Sequence, residues 1–291
     1  MNIIFQINGG IGKCIMATAV CEAIHKQYPE ANLIVVSGYA DVFLNNPNVY
    51  RTYNFNGFSY FYDEFVKDKE VLLFAHDPYL ETNHLKQDEH LIKTWCEMFG
   101  VKYNGELPKI HLTAREIKFF ENRFQSDLPI LLLQTNGGSQ TEHKYSWARD
   151  IPSSVAIKVI DAFRKDYNII HIKREDQIGY DYTYAVTDTF RALCVLNSLS
   201  KKRLFIDSFA QHTAAAMDMP STVCWVANKP EVFGYSMHDN IVSNPFTVKP
   251  ELRNSFLQQF NIAGDLLEFP YNTEDEIFDV DKIIESIKNQ K

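Results

Sequence analysis

Short apolar runs recur along the chain, each followed by a polar or glycine-bearing stretch and then by a segment with helical spacing. Asn2–Ile7, Leu33–Val36, Val71–Phe74, Ile130–Leu133, Ile169–Ile172, Leu204–Ile206 and Thr222–Val226 read as strands covered on both faces, with a further strand at Val49–Phe55. Met16, Ala19, Val20, Ala23 and Ile24 share one face of a helix predicted from about Ile15 to Gln27. Helices are also predicted over Leu91–Phe99, from the capping box Thr113–Glu116 to Arg123, over Ser154–Lys165, from a cap at Asp188 to Leu199, over Phe209–Met217 and over Val280–Lys288. Strand, helix, strand in succession is the βαβ unit of a parallel sheet, and the pattern occurs in both halves of the chain. The polar, proline-ended stretch Gln125–Pro129 divides them, predicting domains over 1–126 and 127–275 and a closing segment over 276–291.

The chain has 291 residues, enough for two domains, and 45% of them are hydrophobic against 23% charged, the balance of a globular protein with ample core. No apolar run approaches the length of a membrane span, and the first ten residues run into a strand without a basic leader. Cys14, Cys21, Cys96, Cys194 and Cys224 are odd in number and lie mostly inside apolar runs, the pattern of reduced core thiols in a cytoplasmic protein. A net charge of -8 argues against a broad surface for nucleic-acid backbones.

Candidate chemistry sits in the turns that follow strands. Asp207 and Ser208 join the strand ending at Ile206 to the helix starting at Phe209. The free N–H groups of that first turn and the helix dipole suit a phosphate. Asn136, Gly137 and Gly138 follow another buried strand, and Lys144 supplies a mobile positive charge to the same loop. Glu175 and Asp176, just past the next strand, stand where acidic residues take ribose hydroxyls. In the first half, Gly10, Gly12 and Lys13 lie in the turn Asn8–Cys14. That turn resembles the deviant Walker A loop of ParA-type ATPases, yet Cys14 replaces the Ser or Thr that would hold magnesium, and Asn8 replaces the leading lysine. His76 and Asp77, in the polar loop after Val71–Phe74, are candidates for a general base. His76, His84 and His90 lack metal-ligand spacing, so no metal site is expected.

Several of these residues carry a resemblance. Asp207-Ser208, then His212, Ala214–Ala216 and Pro220, resemble the C-terminal signature of the heptosyltransferases of glycosyltransferase family 9, with Phe209 where that family has glycine. Gly12, Thr18, Ala23, Tyr28-Pro29 and Ala31 are similar to its N-terminal loop and helix, and Lys144, Trp147 and Pro152 to its second-domain loop. The resemblance implies an α/β protein of the GT-B fold, two Rossmann-like domains whose parallel sheets face a central cleft. The N-terminal domain would take the acceptor, the C-terminal domain the nucleotide-sugar, and the last helix would pack back across the junction. The implied activity is inverting, metal-independent transfer of a hexosyl or heptosyl unit, with no cofactor beyond the donor. The donor would meet Lys144, Asn136, Gly137, Gly138, Glu175, Asp176, Asp207, Ser208, Phe209 and His212, and the acceptor the loop of Gly10, Gly12 and Lys13. Lys13 occupies the position of the family's catalytic aspartate, which leaves the base unassigned and keeps a catalytically silent nucleotide-sugar binder as the alternative. The acceptor stays open between a glycan, a lipopolysaccharide-like chain, a protein and a modified nucleobase.

Overall fold

The computed structural model describes residues 1–56, 59–137, 145–252 and 269–290. The first half runs β1 (Asn2–Ile7), α1 (Ile11–Gln27), β2 (Asn32–Ser37), β3 (Arg51–Tyr53), β4 (Val71–Phe74), α2 (Thr82–Leu85), α3 (Leu91–Met98) and α4 (Ala114–Arg123). The second runs β5 (Ile130–Leu133), α5 (Ser153–Phe163), β6 (Asn168–Ile172), β7 (Tyr184–Val186), α6 (Phe190–Leu199), β8 (Lys202–Ile206), α7 (Phe209–Ala216), β9 (Thr222–Trp225), α8 (Pro230–Phe233), β10 (Asp239–Val242) and α9 (Val280–Asn289). Their strands form one sheet in the order β3-β2-β1-β4 and another in the order β10-β9-β8-β5-β6-β7, with every pair parallel.

Parallel strands covered on both faces need continuous apolar sequence, and the central strands have it: β5 and β9 are buried at every position. The edge strands β7 and β10 consist of half-buried and exposed residues and carry no apolar run, and β4, expected to be covered on both faces, is an edge strand with Leu73 exposed. β3 is shorter than the predicted Val49–Phe55 because only Arg51–Tyr53 pair with β2. The cap of α6 is Thr189, whose side chain accepts from the Ala192 amide, rather than Asp188.

One correction concerns how the domains meet. The last helix, α9, was expected to lie across the junction. It instead packs on α5, β8, β9 and β10, its Ile283 and Ile287 entering the core of the second domain. The junction is formed by α1 against α7 and by α4 against α6. The alanine run of α7 is correspondingly divided: Ala214 packs on its own sheet, whereas Ala215 and Ala216 join a core that includes Ile15, Met16 and Ala19 of α1. Small residues on α7 therefore let two helices approach as well as a helix and a sheet. Every residue of α1 from Lys13 to Cys21 is buried, as a helix sandwiched between its own sheet and the other domain must be. All five cysteines are buried and free.

Candidate active site between the two sheets

Each sheet changes direction once. In the first the chain goes from β1 out to β2 and β3 on one side and to β4 on the other; in the second it goes from β5 to β6 and β7 on one side and to β8 on the other. The crevice beyond the carboxyl ends of the two strands flanking such a reversal is where open α/β sheets bind ligands. Contacts bridge both reversals. Lys13, after β1, places Nζ 2.7 Å from Oδ1 of Asp77, after β4. Gln134, after β5, donates through Nε2 to Ser208 Oγ, after β8, at 3.2 Å.

These two crevices face each other. A methyl group on Gly12 would lie 3.0 Å from His212 Cδ2 and 3.6 Å from Phe209 Cα, so the first turns of α1 and α7 are in contact and a side chain between them would press on the His212 ring. Neither helix start is closed by its own cap. Gly10 has no side chain to offer, and the hydroxyl of Ser208 is taken by Gln134 instead of by an amide of α7. The first amides of both helices, with the positive ends of both dipoles, are left for something else to satisfy.

The second-domain loop is organised by Asp150, which is buried. It accepts from Asn136 Nδ2 at 3.1 Å, from the Gly137 amide at 2.9 Å and from the Ser146 amide at 2.9 Å. Gln177 closes the same loop from below by donating to the Gly137 carbonyl at 2.7 Å. Gly137 is bare for a reason: a Cβ there would sit 2.4 Å from the guanidinium of Arg149. Arg149 lies over that glycine with its Nε buried and without a hydrogen-bond partner among the described residues. Its charge reaches Asp207, whose carboxyl is raised by burial and pulled back by a hydrogen bond from Asn228 and by Arg149. Arg149 was missed in the sequence because it sits eleven residues beyond Gly138; only the fold of the loop returns it to Gly137. Gly138 and Lys144 lie outside the described residues.

The remaining candidates separate by environment. Glu175 and Asp176 are exposed after β6, with Asp176 bonded by Arg174 at 3.0 Å. Phe209 opens α7 against Gly12. His212 is packed inside the junction: Nδ1 lies 2.9 Å from the Tyr235 hydroxyl, and burial pushes its pKa down to about 3, so the ring is neutral. His76 is exposed and Asp77 is half-buried. Lys13 is 3% exposed, its ammonium enclosed by Asp77, by the Tyr79 ring at 4.4 Å and by the Trp95 ring at 5.4 Å. A P-loop lysine must reach into the phosphate site, and this one is turned inward. Among the described residues no group of three His, Cys, Asp or Glu side chains is placed to hold a metal, and no helix is long and apolar enough to cross a membrane.

No protein-family model and no curated protein matches the sequence. Solved structures do match. A family 9 glycosyltransferase from Veillonella parvula aligns over 99% of this chain and 96% of its own at a TM-score of 0.68 and 15% identity. The ADP-heptose lipopolysaccharide heptosyltransferase II of E. coli aligns over 83% and 90% at 0.60 and 12% identity. The iron-containing dodecameric heptosyltransferase TibC, solved with ADP-D-beta-D-heptose, aligns over 97% of this chain and 72% of its own at 0.64 and 13% identity. At these identities the likeness establishes the architecture: this chain has the α/β fold of the heptosyltransferases, with two parallel sheets.

Proposed function

We propose that the protein is an inverting glycosyltransferase that moves a sugar from a nucleoside diphosphate sugar to an acceptor hydroxyl. The observation that carries this reading is the meeting of two uncapped helix starts, α1 and α7, at the Gly12–His212 contact. A dianionic leaving group needs positive charge that strengthens as the glycosidic bond breaks. Here the amides of α7, the guanidinium of Arg149 and the side chain of Lys144 would supply it, which is the basis for proposing transfer without a metal. Asn136 and Gly137 would shape the diphosphate loop, and Glu175 or Asp176 would take the ribose hydroxyls. The acceptor would enter beside Gly10, Gly12 and the loop after β4. Five buried thiols fit a cytoplasmic setting. The ADP-heptose named for two of the matching structures makes that donor the first to test.

Incubation with labelled ADP-, GDP- and UDP-sugars tests the reading. Binding of one donor with release of its nucleoside diphosphate, insensitive to EDTA and lost in Lys144→Ala, supports it; absence of binding across the set overturns it. A second reading, a nucleotide-sugar binder without turnover, is favoured by the placement of Lys13 where the resembling family has its base. It predicts donor affinity with no release of nucleoside diphosphate in the presence of any acceptor.

A further inference from the structure

A carboxylate stands beside Lys13, in the loop that follows the neighbouring strand. Asp77 lies in the loop after β4, on the far side of the sheet reversal from Lys13, and its side chain is 35% exposed. Its Oδ1 accepts from Lys13 Nζ at 2.7 Å and from the Tyr79 amide at 3.0 Å. Both donors converge on one oxygen, and among the described residues nothing bonds Oδ2. A carboxylate held this way has a fixed plane, one satisfied oxygen and one oxygen free to take a proton.

Lys13 is fixed in turn. Its ammonium is enclosed by the Tyr79 and Trp95 rings and cannot swing toward a ligand without leaving Asp77. Tyr79 also ties the turn to the second domain: its ring lies 6.2 Å from that of Phe233, and burial with the charges of Asp207 and Asp77 pushes its phenol up. Tyr79 thus links Asp77, whose Oδ1 accepts from its amide, to Phe233 of the second domain, which keeps the loop after β4 against the domain that carries the donor-side turns. His76 has neither restraint: it is exposed, and no described residue holds its ring by a hydrogen bond.

We propose that Asp77 is the general base of the transfer and that Lys13 is its positioning residue. This rests on the transferase reading above. In the step, the acceptor O–H proton passes to Asp77 Oδ2 while the oxygen's electron pair forms the new bond to the anomeric carbon. The bond from that carbon to the diphosphate oxygen breaks, and its electron pair leaves with the nucleoside diphosphate. Asp77 then returns the proton to water. One displacement at one carbon inverts its configuration.

The test uses the full chain with the donor that turns over in the ADP-, GDP- and UDP-sugar set, and the affinity for the matching free nucleoside diphosphate by calorimetry as a control on the fold and donor side. Asp77→Asn is expected to lower kcat by about 100- to 10,000-fold, the range of a lost general base, with nucleoside diphosphate affinity within about twofold of wild type. Sodium formate is expected to restore turnover to Asp77→Ala, which a purely structural carboxylate would not permit. Lys13→Met is expected to lower kcat with that affinity unchanged, and adding Asp77→Asn to it is expected to cost little more, since the two act as a unit. Turnover within about threefold of wild type in Asp77→Asn, or its loss in His76→Ala alone, overturns the assignment while leaving the transferase reading intact. Failure of the wild-type protein to bind any nucleoside diphosphate sinks both. Should Asp77→Asn fail to fold, the formate response of Asp77→Ala and the kcat of Lys13→Met decide.

Discussion

Arg191 of α6 donates through Nε and Nη2 to the two carboxylate oxygens of Glu116 on α4, at 2.8 and 3.0 Å, across the domain junction. The same guanidinium reaches the carbonyl of His111 at 2.6 Å, and Glu116 also closes the capping box of α4 by accepting from the Thr113 amide at 2.7 Å. A planar fork of donors suits this arrangement, and an ammonium would not reproduce it. Arg191→Met should cost about 2 kcal/mol in urea unfolding, the scale of hydrogen bonds to charged groups in a partly exposed site. Arg191→Lys should recover only part of that loss.

The pH dependence of this pair has a definite sign. Arg191 and the Thr113 hydrogen bonds hold Glu116 down at about 2, against an ordinary value of 4.5. A carboxyl depressed on folding contributes stability that is fully present above the ordinary value and is lost as pH falls from there through about 2. Unfolding midpoints measured between pH 5 and pH 3 should fall more steeply in wild type than in Glu116→Gln.

A second group of junction residues acts at higher pH. Tyr235 is ringed by His90, His212 and His238, with ring centroids 5.5, 5.7 and 5.8 Å away. Burial pushes His90 and His238 down to about 4 and His212 to about 3, from an ordinary 6.5. The unfolded chain binds protons that the folded one refuses, so stability is complete above pH 6.5 and declines as pH drops toward 4. The loss should be on the order of 1–2 kcal/mol per histidine by pH 5. His238→Asn should flatten the decline in Tm between pH 7 and pH 5, and an unchanged slope would rule out its contribution.

Gly137 and Arg149 should behave as one element. The atoms that a Cβ at 137 would meet are the far end of a long flexible side chain, so Gly137→Ala should fold but displace the guanidinium. Gly137→Ala and Arg149→Met are therefore expected to weaken nucleoside diphosphate binding by similar factors, on the order of 10-fold. The double variant should lose little beyond either alone. Calorimetric titration of ADP, GDP and UDP checks this.

Gly12 tests the junction from the other side. A Cβ there already presses on the ring of His212 at 3.0 Å and touches the backbone of Phe209 at 3.6 Å, so the further methyl groups of valine would crowd a buried ring that is itself packed in the junction. Gly12→Val should lower stability by about 1–3 kcal/mol, and push the starts of α1 and α7 apart. Loss of nucleoside diphosphate affinity at a temperature where the variant remains folded would show that the two helix starts act together.

What the sequence determined alone was local and repetitive. β4 and β5 begin and end where their apolar runs do, and the Thr113–Glu116 box opens α4 as its spacing required. Buried parallel strands and capped helices write themselves into neighbouring residues, because each is decided by the few positions around it. The glycine turns and Asp207-Ser208 were legible for the same reason. The edge strands β7 and β10 were not, since polar residues interrupt or adjoin their short apolar stretches. Only the tertiary structure decided the rest. It set α9 on its own sheet, turned Ala215 and Ala216 toward the other domain, laid Arg149 over Gly137 and joined Lys13 to Asp77. Each of these is a meeting of residues far apart in the chain. The pattern around a residue shows that it will be buried or turned outward, but the partner it meets there depends on strand order and domain packing, which no short stretch of sequence contains.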